Sequence, residues 1–121
     1  MASTKASNTR ADVFDENARL QKIEYLGIQH SKRSDYLDAV VRLAADLFSC
    51  PISLVSIIGE HEQWNKAAYG IDLQSIPRKE SFCSHAMTHG KLMVVDDTTA
   101  DARFSANPFV VGPPHIRFYA G

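Results

Sequence analysis

Between Pro51 and Gly59 the chain reads Ile52-Ser53-Leu54-Val55-Ser56-Ile57-Ile58, and this segment limits the possible folds more than any other. Successive side chains of a strand point to opposite faces, so Ile52, Leu54 and Ile58 share one face and Val55 and Ile57 the other. A strand apolar on both faces is covered on both, which predicts an inner strand of a packed sheet. It is far short of the roughly twenty apolar residues a membrane helix needs. Gly59 to Glu62 form a turn-like break, and Gln63 to Tyr69 then reads as the return strand of a hairpin closed by Gly70 and anchored by Trp64 and Tyr69.

The strongest candidate to cover that sheet is a helix from Ser34 to Ser49. Leu37, Val40, Val41, Ala44, Leu47 and Phe48 follow amphipathic spacing and are expected to be its buried face; Asp38, Arg42 and Asp46 lie opposite. Ser34 suits the N-cap and Pro51 blocks continuation. A shorter helix is expected over Glu16 to Ile28, with Leu20, Ile23 and Leu26 spaced for it and Gly27 as its stop. Residues 1–15 are too poor in apolar side chains to offset their ordering entropy and read as a disordered tail. Beyond Pro77, a helix from Ser81 to Gly90 precedes a strand at Leu92 to Val95, stopped by Asp96 and Asp97. One helical turn over Ala102 to Asn107 and a strand over Ile116 to Tyr119 follow. This order of elements, without internal repeats, describes an α+β domain with a mostly antiparallel sheet.

Charge and thiols narrow the function. Thirteen basic residues against fourteen acidic ones, net −1, leave no field to draw in nucleic acid or an anionic membrane. The polar N-terminus lacks the apolar stretch of a signal peptide. Cys50 and Cys83 make no disulfide framework and suit a reducing, cytoplasmic setting. A length of 121 residues fits one domain.

Most of the chemically capable residues fall between Glu80 and His89. Cys83 sits in the first turn of the expected helix, where the backbone N–H groups and the dipole favour a thiolate; the alternative is a packed, inert thiol. His85 and His89 share a helical face, but a zinc site needs three or four convergent ligands and no further close pair is present, so no metal and no cofactor is expected. Asp96, Asp97 and Asp101 read either as an acidic cluster or, more simply, as turn and N-cap formers. Arg78, Arg103, His115 and Arg117 could together hold an anion, or stand as separate surface charges. Trp64 could stack on a ring-bearing ligand or belong to the core. No glycine-rich phosphate loop or nucleophile elbow occurs, and no catalytic role is expected.

The ordered words Pro51-Ile52-Ser53-Leu54-Val55-Ser56, Gln63-Trp64-Asn65-Lys66, Ile76-Pro77-Arg78, Ser81-Phe82-Cys83-Ser84-His85-Ala86, Leu92-Met93-Val94-Val95-Asp96-Asp97, Asp101-Ala102-Arg103-Phe104, Asn107-Pro108 and Pro114-His115-Ile116-Arg117-Phe118-Tyr119-Ala120-Gly121 resemble the GAF domains at the front of bacterial sensor histidine kinases and diguanylate cyclases. The likeness runs from about Asn17 to the last residue, including the lead-in Asn17, Arg19, Leu20 and Tyr25-Leu26-Gly27-Ile28. It implies a sheet of about six antiparallel strands, helices on one face that often build a parallel dimer, and a ligand pocket on the other. It also implies that residues 16–121 are a partial GAF domain whose C-terminal strands and helix are missing, one of those strands lying beside Ile52 to Ile58.

Two places depart from the group: Gln29 to Arg33 replace a usual Asp-Thr-Pro-Pro type connection, and Glu62 stands where an arginine precedes Gln-Trp. The motif of cyclic-nucleotide-binding members is not recognisable, and Cys83 does not match the bilin-attaching or methionine sulfoxide reductase cysteines of relatives. The expected function is a small-molecule or redox-sensing regulatory module, homodimeric, acting on an output domain of its parent chain. The rival is a thiol-based redox enzyme of the free methionine sulfoxide reductase type using Cys83. Candidates to line a ligand pocket are Trp64, Phe82, Cys83, His85, Met87, Arg117 and Tyr119.

Overall fold

The computed structural model describes residues 15–121. Of the stretch read as a tail, residues 1–14 lie outside the described residues, and Asp15 is an N-cap: its carboxylate accepts the Ala18 N–H at 3.0 Å. That cap opens α1 (Glu16–Leu26), which Gly27 ends in the left-handed conformation at φ 61°. Leu20 and Ile23 are half-buried, whereas Tyr25 is 83% exposed, and no residue of α1 is fully buried.

Helix α2 (Asp35–Phe48) is capped by Ser34 and ends at Ser49, at φ 51°. It packs on the sheet through Val41 and Ala45, with Leu37 and Ala44 half-buried beside them. The expected buried face is corrected here: Val40 is 38%, Leu47 69% and Phe48 78% exposed. The sheet covers only a narrow stripe of the helix, and apolar residues occupy more than that stripe. Tyr36, Val40, Leu43 and Leu47 form a second apolar row, exposed, at the i, i+4, i+7, i+11 spacing of one helix face.

The first sheet has the order β1-β2-β3, built from β1 (Ser53–Ile58), β2 (Glu62–Tyr69) and β3 (Ser75–Pro77). The hairpin register runs from Ser53 opposite Tyr69 to Ile58 opposite Gln63, with a bulge at which Lys66 is the extra residue. Gly70 closes the hairpin at φ 81°, and a Cβ there would lie 1.8 Å from the Pro51 carbonyl oxygen, so only glycine fits. β3, which sequence pattern did not reveal, is followed by a 3₁₀ turn at Arg78–Glu80.

Helix α3 (Phe82–His89) begins at Ser81, whose hydroxyl accepts the Ser84 N–H at 2.9 Å, and ends at Gly90. A second, two-stranded sheet joins β4 (Val94–Val95) to β5 (Tyr119–Ala120). Between them, Asp97 caps the 3₁₀ turn Thr98–Ala100 and Asp101 accepts the Arg103 N–H at 2.9 Å, so both aspartates act as turn formers. The helical turn expected before Pro108 is instead a run of turns, and Pro108 opens α4 (Pro108–Val111) behind the Asn107 cap. Proline lacks the N–H that the first helical turn leaves unused, which makes it a starter as readily as a stop. Phe82, Met93, Val95, Phe104 and Val110 form the core of this half.

The architecture is α+β and antiparallel. Five strands in two sheets are described, where the family likeness implies one sheet of about six. The apolar segment expected as an inner strand is, among the described residues, at an edge: β1 pairs with β2 alone, and its other side faces a cleft.

Candidate functional site

That cleft, about 480 Å³, lies between the open edge of β1 and the β4–β5 end of the molecule and is mostly apolar. Leu54, Ser56, Ile57 and Ile58 line it from β1, Cys83, Ala86 and Met87 from α3, Tyr119 and Gly121 from the chain end, and Arg19 and Ile23 from α1; Lys91 and Leu92 complete it. The α3 residues follow from helical spacing, since positions 83, 86 and 87 share one face. Phe82 and His85 face the other way. Phe82 is buried between the rings of Phe104, at 4.4 Å, and Tyr119, at 5.3 Å. His85 meets the edge of Phe104 at 5.0 Å and borders a separate polar depression with His61, Arg78 and Lys79.

The structure therefore brings Cys83, Met87 and Tyr119 of the candidate residues to the cleft, stacks Phe82 behind Tyr119, and places Trp64, His85 and Arg117 elsewhere. Trp64 stands edge-on to His30 at 4.6 Å, and the His30 ring shares a 2.7 Å hydrogen bond with Glu62. Arg117 donates to the Val110 carbonyl at 2.9 Å and fastens α4 rather than facing the cleft. Arg103 is engaged by Asp101 at 2.7 Å, so the four basic residues read as an anion cluster do not converge in the cleft. The described residues contain no group of three metal-capable side chains.

On the wall of the cleft the Tyr119 hydroxyl donates to Cys83 Sγ at 3.4 Å. Burial, with Cys83 beside it, raises the tyrosine hydroxyl far above its usual range, so it remains a donor at neutral pH. A hydroxyl aimed at sulfur can stabilise negative charge there.

The rim is set by ions. The Gly59 N–H donates to the Glu62 carbonyl at 2.7 Å, and the carbonyl of the preceding residue, Ile58, on the same peptide unit, points the opposite way, away from β2. The Arg19 guanidinium donates to that carbonyl. Glu16 accepts from Arg19 at 2.8 Å and from Arg78 at 2.6 Å, and these two guanidinium groups, Arg19 foremost, pull its carboxyl down to about 2. Arg78 also donates to the Gly59 carbonyl at 3.1 Å.

A second polar group holds the sheet itself. Ser81 Oγ donates to Gln63 Oε1 at 2.5 Å, Gln63 Nε2 to Asn65 Oδ1 at 2.8 Å, and Asn65 Nδ2 to the Leu73 carbonyl at 2.8 Å. Lys66 Nζ donates to the Ser31 carbonyl at 2.6 Å, and to the Ser31 hydroxyl, from a nearly fully buried position. Sequence reasoning assigned none of these roles. The available signal was Gln63 and Asn65 at the two-residue spacing of one strand face, which reads equally well as a solvated edge.

Residues 33–121, well over half of the chain, match the GAF domain. Over 107 residues, 88% of the chain, the sequence is 37% identical to Cyclic di-GMP phosphodiesterase PA2567 of Pseudomonas aeruginosa, and the match spans 18% of that relative's length. GAF domains are regulatory modules of signalling proteins. The α+β fold, the ordered sequence words and the match over residues 33–121 lead to one assignment: the chain belongs to the GAF domain family.

Proposed function

We propose that this chain is a sensory regulatory module that binds a small molecule in the cleft between β1, α3 and Tyr119 and thereby biases an output domain of its parent protein. Two observations support this reading: the match of residues 33–121 to the GAF domain, and a cleft with an apolar body bordered by few polar groups, Ser56, Cys83, Tyr119, Lys91 and Arg19. Those groups suit a compact apolar ligand with one anionic or hydrogen-bond-accepting end. The relative is named as a cyclic di-GMP phosphodiesterase, so the output we propose is an enzyme of cyclic di-GMP turnover, with a histidine kinase as the other expectation. The catalytic chemistry belongs to that output. The proposed setting is the cytoplasm, in keeping with two free thiols. The exposed row Tyr36, Val40, Leu43 and Leu47 supports a homodimer through α2, which Leu43→Lys would dissociate in light scattering.

The competing occupant of the cleft is a β-strand, because among the described residues β1 pairs with a strand on one side alone and the family likeness implies further strands beside it. Thermal shift with a fragment library separates the two. Ligand binding that Ala86→Trp abolishes without lowering Tm supports the sensor; the absence of any binder, together with stabilisation by an extended peptide, supports the strand.

A second reading, redox sensing or thiol chemistry at Cys83, draws on the Tyr119 hydroxyl bonded to its sulfur. Its test is the pH dependence of alkylation in a Cys50→Ser background: a thiol titrating well below about 8.5, and shifting in Tyr119→Phe, supports it.

A further inference from the structure

The polar depression that His85 borders is separate from the cleft, and no residue lines both. It holds about 550 Å³, within the range of small-molecule sites. Its lining falls within residues 60–85, from the β1–β2 turn, the end of β3, the 3₁₀ turn and α3. Arg78 links these elements. Its backbone N–H donates to the His61 carbonyl at 2.9 Å and its Nε to Ser84 Oγ at 3.4 Å. Its Nη1 donates to Glu16 at 2.6 Å and to the carbonyls of Gly59, at 3.1 Å, and Glu60, at 3.4 Å. The ionic clasp of Glu16 with Arg19 and Arg78 thus fixes this guanidinium, while its Nη2 has no partner among the described residues. Lys79 is exposed beside it and makes no ion pair among those residues.

We propose that this depression binds a phosphate monoester. The open edge of the Arg78 guanidinium, the Lys79 ammonium, the Ser84 hydroxyl and the His61 and His85 rings are donors carried by different elements around one space. Such an arrangement suits a group with three acceptor oxygens in tetrahedral directions better than a planar carboxylate, which a single guanidinium fork satisfies. Charge agrees with this. Glu16 is engaged by Arg19 and Arg78, and the Glu60 carboxylate lies 3.7 Å from His61 Nε2. Arg19, Arg78 and Lys79 against these two carboxylates leave a positive balance before either imidazole is counted. The space exceeds that of a bare ion, and Pro77 and the His85 ring give an organic part a surface to lie against. An occupant bridges the β1–β2 turn and α3, and so joins the sheet to the helix. The inference does not rest on the cleft being a ligand site.

The test is an NMR titration of the whole 121-residue chain with phenyl phosphate at constant pH and ionic strength, read at the ring protons of its five histidines. Saturable shifts are expected at His61 and His85, with His30 and His115, which do not line the depression, nearly still. Lys79→Glu, a change at an exposed position, is expected to weaken binding on the order of ten-fold or more, the size of one charge-assisted hydrogen bond. Lys22→Glu makes the same change of charge on α1, outside the depression, and is expected to leave the affinity within about two-fold because salt screens it. Inorganic phosphate is expected to move the same two rings at higher concentration; binding as tight as that of the ester overturns the choice of a monoester. Shifts that are absent, that do not saturate, or that spread evenly over the five histidines overturn the site, as does equal weakening by Lys79→Glu and Lys22→Glu.

Discussion

On one side of the cleft, α2 and the β1–β2–β3 sheet bury Gln63, Asn65 and Lys66 among small apolar residues, Val41, Ala45 and Ala67. On the other, Phe82, Met93, Val95, Phe104 and Val110 form a cluster with no polar member, its rings stacked at 4.4 Å. The first half is positioned by hydrogen bonds with fixed partners, which specify geometry and add modest net stability. The second is held by apolar area and close packing, which stabilise strongly and specify direction less. The cleft therefore lies between a hydrogen-bonded frame and an apolar cluster, and of the residues packed around that cluster Ala86 and Tyr119 reach the cleft's lining.

The two halves should answer differently to mutation. The largest effect is expected in the apolar half, where Phe104→Ala removes a fully buried ring and should cost about 3–5 kcal/mol in denaturant unfolding. A loss below about 1 kcal/mol would mean that the cluster does not hold the fold. In the frame, Val41→Asp forces a charge against the sheet and is expected to cost several kcal/mol; a soluble variant with unchanged Tm would contradict the burial of that face of α2. Lys66→Met, which keeps the stem and removes the donor, is expected to cost about 1–3 kcal/mol and to speed amide exchange over residues 29–33. If it instead loosened the aromatic cluster, the separation of the halves would be wrong.

The smallest effect concerns acid. The Glu16 carboxyl is lower in the folded chain than its ordinary value of 4.5, so its contribution is fully present above about 4.5 and is lost as pH falls through about 2. Its side chain is 32% exposed, and solvent screening keeps the contribution below about 1 kcal/mol. Glu16→Gln should therefore flatten the pH dependence of α1 exchange between about 4.5 and 2 while leaving the aromatic cluster untouched. An identical acid profile in wild type and variant would remove the clasp from the account.

How much of this was readable beforehand depends on the kind of information involved. Caps and stops are local: Gly27, Ser34, Ser81 and Gly90 mark helix ends in the sequence and in the structure alike. The hairpin from Ser53 to Tyr69 was equally plain, because alternation and a turn are local too. The buried side of α2 was not, since Val40, Leu43 and Leu47 fit a second apolar row as well as a core face, and only the sheet's width decides between them. Among the site residues, Cys83 and Met87 lie on one face of α3 while Phe82 and His85 lie on another, a distinction that needs the helix's rotation. The Glu16, Arg19 and Arg78 clasp joins positions far apart in sequence, and nothing local to any one of them announces the other two.

The most direct test of the central claim is a methyl NMR titration of the chain with the fragments that raise its Tm. Ile23, Leu54 and Met87 line the cleft, whereas Met93 and Val110 belong to the aromatic cluster behind it. The account predicts saturable shifts at Ile23, Leu54 and Met87, lost in Ala86→Trp, with Met93 and Val110 nearly still. Shifts confined to Met93 and Val110, or to the exposed row at Val40, Leu43 and Leu47, would contradict it.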